Sequence, residues 1–323
     1  VRLAVLGVGL IGGSIGLAAR RRTGAYVVGY DREASALSSA VELGAIDESA
    51  FTISDAVREA DVVFIATPVG AATDTALLAL ETAGSECALS DVGSTKRAIV
   101  GAISDPRFVG GHPLAGAETA GVVSAREDLF ESATWYLTPA AGAAWSAAGA
   151  GSPSAASEEP GADAASAEAR AELSVDAAPW AVERLRGFIE RIGGQPAAIA
   201  PDAHDRLMAN VSHLPHVLAN VLVAQAVRSI ESHGATLDPE VPLGSGPSFR
   251  DATRVAGANP AIWTDIYLSN RDLLAEALDG AIEELSAVRD TLRTGDAQRL
   301  AAWNERARAE RARLRRAGLV SGS

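Results

Sequence analysis

Through about residue 200, short apolar runs alternate with stretches of helical periodicity. Residues 2–6 (RLAVL) form an unbroken apolar run after one arginine, the pattern of a buried strand. A glycine-rich turn follows, and then a helix to about Arg22. Residues 26–30 (YVVGY) predict a second strand ending at Asp31, and residues 60–67 (ADVVFIAT) a third, stopped by Pro68. Residues 87–92, 108–111 and 135–138 predict further strands, with helices between the earlier ones. An amphipathic helix over 180–192, capped by Gly193-Gly194, and a strand over 195–200 should close this domain. Strands alternating with helices predict an α/β fold with a doubly wound, mostly parallel sheet spanning residues 1–200.

From Pro201 the pattern is helical. Residues 202–232 are rich in apolar positions and contain Pro215, which predicts a kink or break there. Over 270–293, Leu273, Leu274, Ala277, Leu278, Ile282, Leu285, Val288 and Leu292 recur at helical spacing. The expectation is an all-helical domain over 201–310 and a tail over 311–323. Long apolar helix faces need a partner, so a homodimer through 201–310 is expected. Residues 140–178 break the texture, being mostly Ala, Gly, Ser and Glu. Such a stretch buries little and reads as a flexible insertion in the first domain.

Composition narrows the function classes. With 48% hydrophobic and 21% charged residues in 323, the chain is globular and long enough for two domains. A net charge of -13 argues against a nucleic-acid partner and against an anionic membrane surface. A small anionic ligand would need a local cluster of cations. The apolar opening carries five glycines and has its arginine cluster behind it, unlike a signal peptide or membrane span. One cysteine, Cys87, forms no intrachain disulfide, so a cytoplasmic location is expected. Lys96 is the only lysine, so any mechanism that needs a lysine has one candidate.

Gly7-Val8-Gly9-Leu10-Ile11-Gly12 follows a predicted strand and opens a predicted helix, and Asp31 ends the next strand. In that context the glycines predict a Rossmann-like dinucleotide site. Gly7 permits the tight turn, Gly9 lets backbone approach a pyrophosphate, and Gly12 lets helix and strand pack closely. The helix start, with Leu10 and Ile11, offers its N–H groups to the anion. Asp31 would accept the ribose hydroxyls and repel a 2′-phosphate, favouring NAD; Arg32 beside it keeps NADP open. Thr67-Pro68 would border the nicotinamide half by fold analogy.

Two further stretches carry chemistry. Asp91-Val92-Gly93-Ser94-Thr95-Lys96 ends one predicted strand, and Gly111-His112-Pro113 ends the next. If both lie at carboxyl ends of parallel strands, Ser94 and His112 meet over the nicotinamide. A histidine near its ordinary pKa suits taking a proton from an alcohol as hydride leaves.

Taken in order, GVGLIGGS, DVGSTK, GGHPLAGAE, HDRLMANVSHLPH and FRDATRVA resemble the prephenate dehydrogenase family, which includes arogenate and cyclohexadienyl dehydrogenases. The resemblance runs from about residue 2 to about 295, apart from 140–178. It implies oxidative decarboxylation of prephenate with NAD to 4-hydroxyphenylpyruvate, CO2 and NADH in tyrosine biosynthesis. It implies that His112 is catalytic, that Ser94 orients it and the ring hydroxyl, and that Arg254 pairs with a substrate carboxylate. It further implies that His216, His204 and Glu118 line or gate the pocket, and that Asp251 and Trp263 help build it from the helical domain. The 140–178 insertion is longer than the usual family layout, and no fused regulatory or mutase domain is expected after the last helix.

Competing readings stay open. Ser94 would also serve as a helix cap, His204 as a structural histidine, and Arg254 as an ordinary ion-pair partner. Lys96 would support the Ser94 loop. His213 and His216 have a metal-ligand spacing, but no Cys or carboxylate cluster accompanies them, and no metal is expected. Arogenate is the alternative substrate. A β-hydroxyacid dehydrogenase would need a lysine in the helical domain, where there is none. The non-enzyme alternative is an NAD-binding sensor.

Overall fold

A computed structural model describes residues 1–116, 119–139, 177–232 and 244–319. Five parallel strands form the first sheet: β1 (Arg2–Leu6), β2 (Tyr26–Tyr30), β3 (Glu48–Ser49), β4 (Val62–Ile65) and β5 (Ala88–Asp91). Their order is β3-β2-β1-β4-β5, so the connections reverse direction between β1 and β4. That reversal is where such sheets leave a crevice at the strands' carboxyl ends. Helices α1 (Leu10–Thr23), α2 (Ala34–Glu42), α3 (Ile53–Val57), α4 (Val69–Thr82) and α5 (Arg97–Ala102) connect or follow the strands.

Alternation along β1 divides the core. Leu3 and Val5 join Ile15, Phe64, Trp135 and Phe188 on one face, and Ala4 and Leu6 join Val63, Ile65 and Leu89 on the other. Phe64 packs its ring 5.5 Å from Trp135 and 5.7 Å from Phe188, which brings in the elements that follow.

Those elements are β6 (Gly110–Pro113), β7 (Thr134–Thr138), α6 (Pro179–Arg191) and β8 (Gln195–Ala198). Here the structure corrects an expectation. His112 lies within β6, and β6 runs antiparallel to β7 in a second sheet of order β6-β7-β8. The approach to β6 pairs parallel to the first sheet, as expected, through the bridge Leu89–Phe108. The glycine pair explains the placement. A Cβ at Gly110 would stand 2.3 Å from Thr138 Oγ1, and one at Gly111 would stand 2.4 Å from Ser90 Oγ and 2.6 Å from the Asp91 carbonyl oxygen. Only bare backbone lets β6 slide between β5 and β7. The antiparallel pairing with β7 is a non-local property, and no periodicity within 108–113 encodes it.

In the helices after Pro201, the break that was one of two expectations at Pro215 is absent. α7 (Pro201–Met208), a π-helical segment (Ala209–His213) and α8 (Leu214–Ser232) run on without a break. Pro215 lacks an N–H and crowds the preceding turn. The widened π turn just before it accommodates the ring, so the helix carries through. Beyond lie α9 (Pro247–Thr253), a 3-10 turn (Arg254–Gly257), α10 (Pro260–Ser269), α11 (Arg271–Thr294) and α12 (Ala297–Arg316). α12 continues past residue 310, so the expected tail begins as helix.

The chain forms two compact units, Val1–Arg271 and Asp272–Ser323. The boundary expected near residue 200 falls inside the first, where α7 and α10 are bonded to the loop after β5. The insertion expected over 140–178 lies almost wholly outside the described residues, which resume at Ala177.

Candidate active site

The glycine loop is shaped as its sequence requires. Gly7 has φ +97°, a region that favours glycine, and a Cβ there would stand 2.6 Å from the Ala66 carbonyl oxygen. A Cβ on Gly12 would lie 2.0 Å from the Gly7 carbonyl oxygen and 2.9 Å from Val5 Cγ1. At Gly9 nothing lies within 4 Å of the Cβ position. Backbone is thus exposed to open space where an anion would sit. Helix α1 starts at Leu10, followed by Ile11, without a side-chain cap, leaving its first N–H groups for a ligand.

Asp31 accepts the Val8 N–H at 2.8 Å and the Glu33 N–H at 2.9 Å, which fixes its carboxylate beside the loop. Arg32 next to it is exposed. Across the crevice, Thr67 Oγ1 is a buried atom with no partner among the described residues, and Pro68 caps α4. A glycine cradle, an uncapped helix start, a fixed acid and an orphaned hydroxyl together fit a dinucleotide.

The second half of the site is a chain of buried imidazoles. His112 Nδ1 lies 2.9 Å from His204 Nε2, and His204 Nδ1 lies 2.7 Å from Asp205 Oδ1. His204 and Asp205 are fully buried, and His112 is 8% exposed. Asp205 also accepts the Lys96 N–H at 2.7 Å and the Arg97 N–H at 2.9 Å, so a residue of α7 holds the amino end of α5. Burial pushes its carboxyl upward, but the bonds from His204 and from the Arg97 and Lys96 backbone outweigh that and lower it. Its peptide oxygen takes Asn270 Nδ2 at 2.8 Å, and Asn270 Nδ2 also lies 3.2 Å from His213 Nδ1. Thr95 Oγ1 and Ser269 Oγ, 2.7 Å apart, make a further tie.

Electrostatics disfavour protonation of three of these imidazoles. Burial holds the His112 pKa well below the ordinary histidine value, and His204, Lys96 and His213 add to the effect. Burial also lowers His213, to about 4, and lowers His216. His216 stacks on Trp263, with ring centroids 3.6 Å apart and planes 8° from parallel, and its Nδ1 bonds the Tyr267 hydroxyl. His213 Nε2 is buried with no partner among the described residues.

Sequence reasoning missed several of these groups. Asp91 anchors β6 to the end of β5: Oδ1 accepts the Gly111 N–H at 3.0 Å, and Oδ2 accepts the Gly93 N–H at 2.8 Å and the Lys96 ammonium. Lys96 is fully buried, and burial lowers its pKa against the pull of Asp91. The only signal was that Asp91 and Lys96 flank Ser94 in one motif. Asp205 stood inside the HDRLMANVSHLPH motif without a role of its own, and Asn270 and Tyr267 gave no signal.

Of the expected residues, His112, His204, His216 and Trp263 fall in the cluster or on residues touching it. Ser94 sits half-buried in the loop between Asp91 and Lys96. The partner of His112 Nδ1 is His204. Arg254 is exposed and opens the 3-10 turn that packs against α8, the helix carrying His216; Asp251 is exposed on α9. Glu118 lies outside the described residues.

Comparison with known proteins decides the family. The model for the prephenate dehydrogenase nucleotide-binding domain matches residues 15–147, and that for the prephenate dehydrogenase dimerization domain matches residues 200–305. The chain belongs to the prephenate dehydrogenase family. It is 32% identical to a prephenate dehydrogenase of Bacillus subtilis, over 92% of this chain and 72% of that protein. It is 31% identical to a cyclohexadienyl dehydrogenase of Zymomonas mobilis, over 91% of this chain and 89% of that protein. The structure of a prephenate dehydrogenase from A. aeolicus, in complex with hydroxyphenyl propionate and NAD+, superposes with a TM-score of 0.77 at 26% identity. That superposition covers 97% of this chain and 98% of the other. His112 lies within the first matched range, and His204, Asp205, His213 and His216 lie within the second.

Proposed function

We propose that the protein is an NAD-dependent prephenate dehydrogenase that converts prephenate to 4-hydroxyphenylpyruvate and CO2 in tyrosine biosynthesis. The observation that carries this reading is His112: a buried imidazole, held neutral, whose Nδ1 is committed to His204. A neutral imidazole in this setting is a base. NAD, when bound on the glycine loop, supplies the hydride acceptor. His112 takes the proton of the ring hydroxyl as hydride leaves the same carbon. Loss of CO2 then sends an electron pair through the ring to that oxygen, which recovers the proton.

Arg254 pairs with a substrate carboxylate, supplying the cation that a chain of net charge -13 must place locally. Ser94 orients the hydroxyl. His216, stacked on Trp263, and the unpartnered His213 Nε2 offer polar contacts beside the ring. Asp251 contributes to the pocket wall. Asp31 takes the ribose hydroxyls, and Thr67-Pro68 faces the nicotinamide. The test is NADH formation from prephenate and from L-arogenate, each with NAD and with NADP. Turnover with prephenate and NAD is expected, and no turnover with either substrate would overturn the reading.

The protein works as a cytoplasmic homodimer. Helix Pro201–Ser232 is long and apolar enough to cross a membrane by length and composition, yet Val221, Leu222 and Val223 on it are exposed in the single chain. A second copy covers this face, in keeping with the dimerization-domain match over residues 200–305. In the other unit, Ile282, Leu285 and Leu292 are likewise exposed. Sedimentation of the purified chain should give twice the monomer mass.

A further inference from the structure

The hydrogen-bond chain behind His112 has a direction. Asp205 is an acceptor: its carboxylate receives two backbone N–H groups, and its pKa is lowered. The His204 Nδ1 facing Asp205 Oδ1 at 2.7 Å therefore carries a proton. In a neutral His204, Nε2 is then bare, and it accepts from the His112 Nδ1 2.9 Å away. Nδ1 of His112 is protonated in turn, which leaves His112 Nε2 as the bare nitrogen. With His204 neutral, three side chains placed by β6 and α7 decide which end of the His112 imidazole is bare.

His204 has both ring nitrogens occupied by protein groups and no exposed surface. It has no atom left for a substrate. We propose that His204 and Asp205 are positioning residues: they hold His112 in the tautomer with Nε2 bare, and the carboxylate offsets the charge that arises when Nε2 takes the hydroxyl proton. The proton stays on His112. The O–H pair becomes part of the new carbonyl as the C–H pair leaves as hydride to the nicotinamide, and the proton returns to oxygen when the C–C pair of the leaving CO2 reaches it. This inference rests on reading His112 as the base, and it moves His204 from the pocket wall to a place behind the catalytic residue. A carboxylate acting through an imidazole is the logic by which hydrolase triads fix the base.

The test has two arms. The first is 15N NMR of the histidine rings in the full chain without substrate, with His112 assigned by loss of its signals in His112→Asn. Protonated Nδ1 and bare Nε2 on His112 are expected; a proton on Nε2 would overturn the proposal. The second arm is kinetic. His204→Leu removes the acceptor and should lower kcat on the order of 10²-fold with KM little changed, and should mix the His112 tautomers. His204→Gln restores an acceptor oxygen and should recover kcat to within about tenfold of the parent. A leucine variant with parental kcat, or with raised KM and parental kcat, would overturn the proposal, the second outcome placing His204 on the substrate. Asp205→Asn, if it folds, should mix the tautomers as His204→Leu does. The NMR arm needs no turnover, so a protein inactive on both substrates but with the expected tautomers keeps the positioning pair and overturns only the reaction assigned to it.

Discussion

The glycine loop and the imidazole cluster are built by opposite means. The loop is local: residues 7–12 supply the turn, the open backbone and the helix start, and Asp31 alone comes from further along, bonded to Val8 N at 2.8 Å. Its chemistry is backbone chemistry, and its glycines matter because of what a Cβ would strike. The cluster is non-local. His112 and His204 are 92 residues apart, and Arg97 and Asn270 are 173 apart. Its chemistry is side-chain chemistry, and its residues matter because burial and hydrogen bonds set their protonation. A binding cradle tolerates solvent, whereas a base with a defined tautomer needs a dry, over-determined setting.

The sharpest break between the two regions is His112→Asn. Asparagine keeps size and hydrogen-bonding capacity but takes no proton, so kcat should fall by roughly 10²–10⁴-fold while NAD binding, measured by titration, stays near parental. A parental kcat would remove the catalytic meaning of the cluster. Gly12→Ala attacks the other region. A methyl 2.0 Å from the Gly7 carbonyl oxygen forces backbone apart, so NAD affinity should drop by tenfold or more, with destabilisation of about 1–3 kcal/mol. Calorimetry that finds unchanged NAD affinity would mean the loop does not hold the cofactor.

Asp31→Ala sharpens the comparison within the cradle. It removes the acceptor for the ribose hydroxyls and the repulsion of a 2′-phosphate, so the NAD/NADP ratio of kcat/KM should fall about tenfold, or ~1.4 kcal/mol. Loss of the bond to Val8 affects both cofactors and cancels in the ratio. An unchanged ratio would show that Asp31 does not read the ribose.

Acid should find the cluster first. His112 is active when neutral and its pKa is lowered, so the acid limb of kcat should lie below pH 6.5, with a flat profile above it. Stability follows the same sign. An unfolded histidine gains a proton near pH 6.5, which native His213 refuses until about pH 4. The unfolded state binds more protons in that window, so thermal stability should decline as pH falls through it. A melting temperature independent of pH between 6.5 and 4 would contradict this. The smallest effect is expected from excising residues 142–176, whose composition offers little apolar area to bury. Activity should stay within a factor of about three, and a collapse of kcat with the fold intact by circular dichroism would assign that segment a part in the site.

The sequence by itself determined the cradle almost completely, because every requirement there is a property of neighbouring residues: a strand, a φ that favours glycine, an uncapped helix start. It also marked His112, His204, His216 and Trp263 through their motifs. It gave the direction of the strand carrying His112, which pairs parallel to β5 through Leu89–Phe108, but not its antiparallel partner β7, since that partner lies further along the chain. It predicted a kink or break at Pro215; a π turn lies just before that residue and the helix runs on through it. Above all, tertiary structure decided what His204 touches. A lone histidine in a helix has two nitrogens and many candidate partners; only folding brings Asp205, the Lys96 and Arg97 amides and His112 into one dry chain, where every polar atom of His204 faces a protein group.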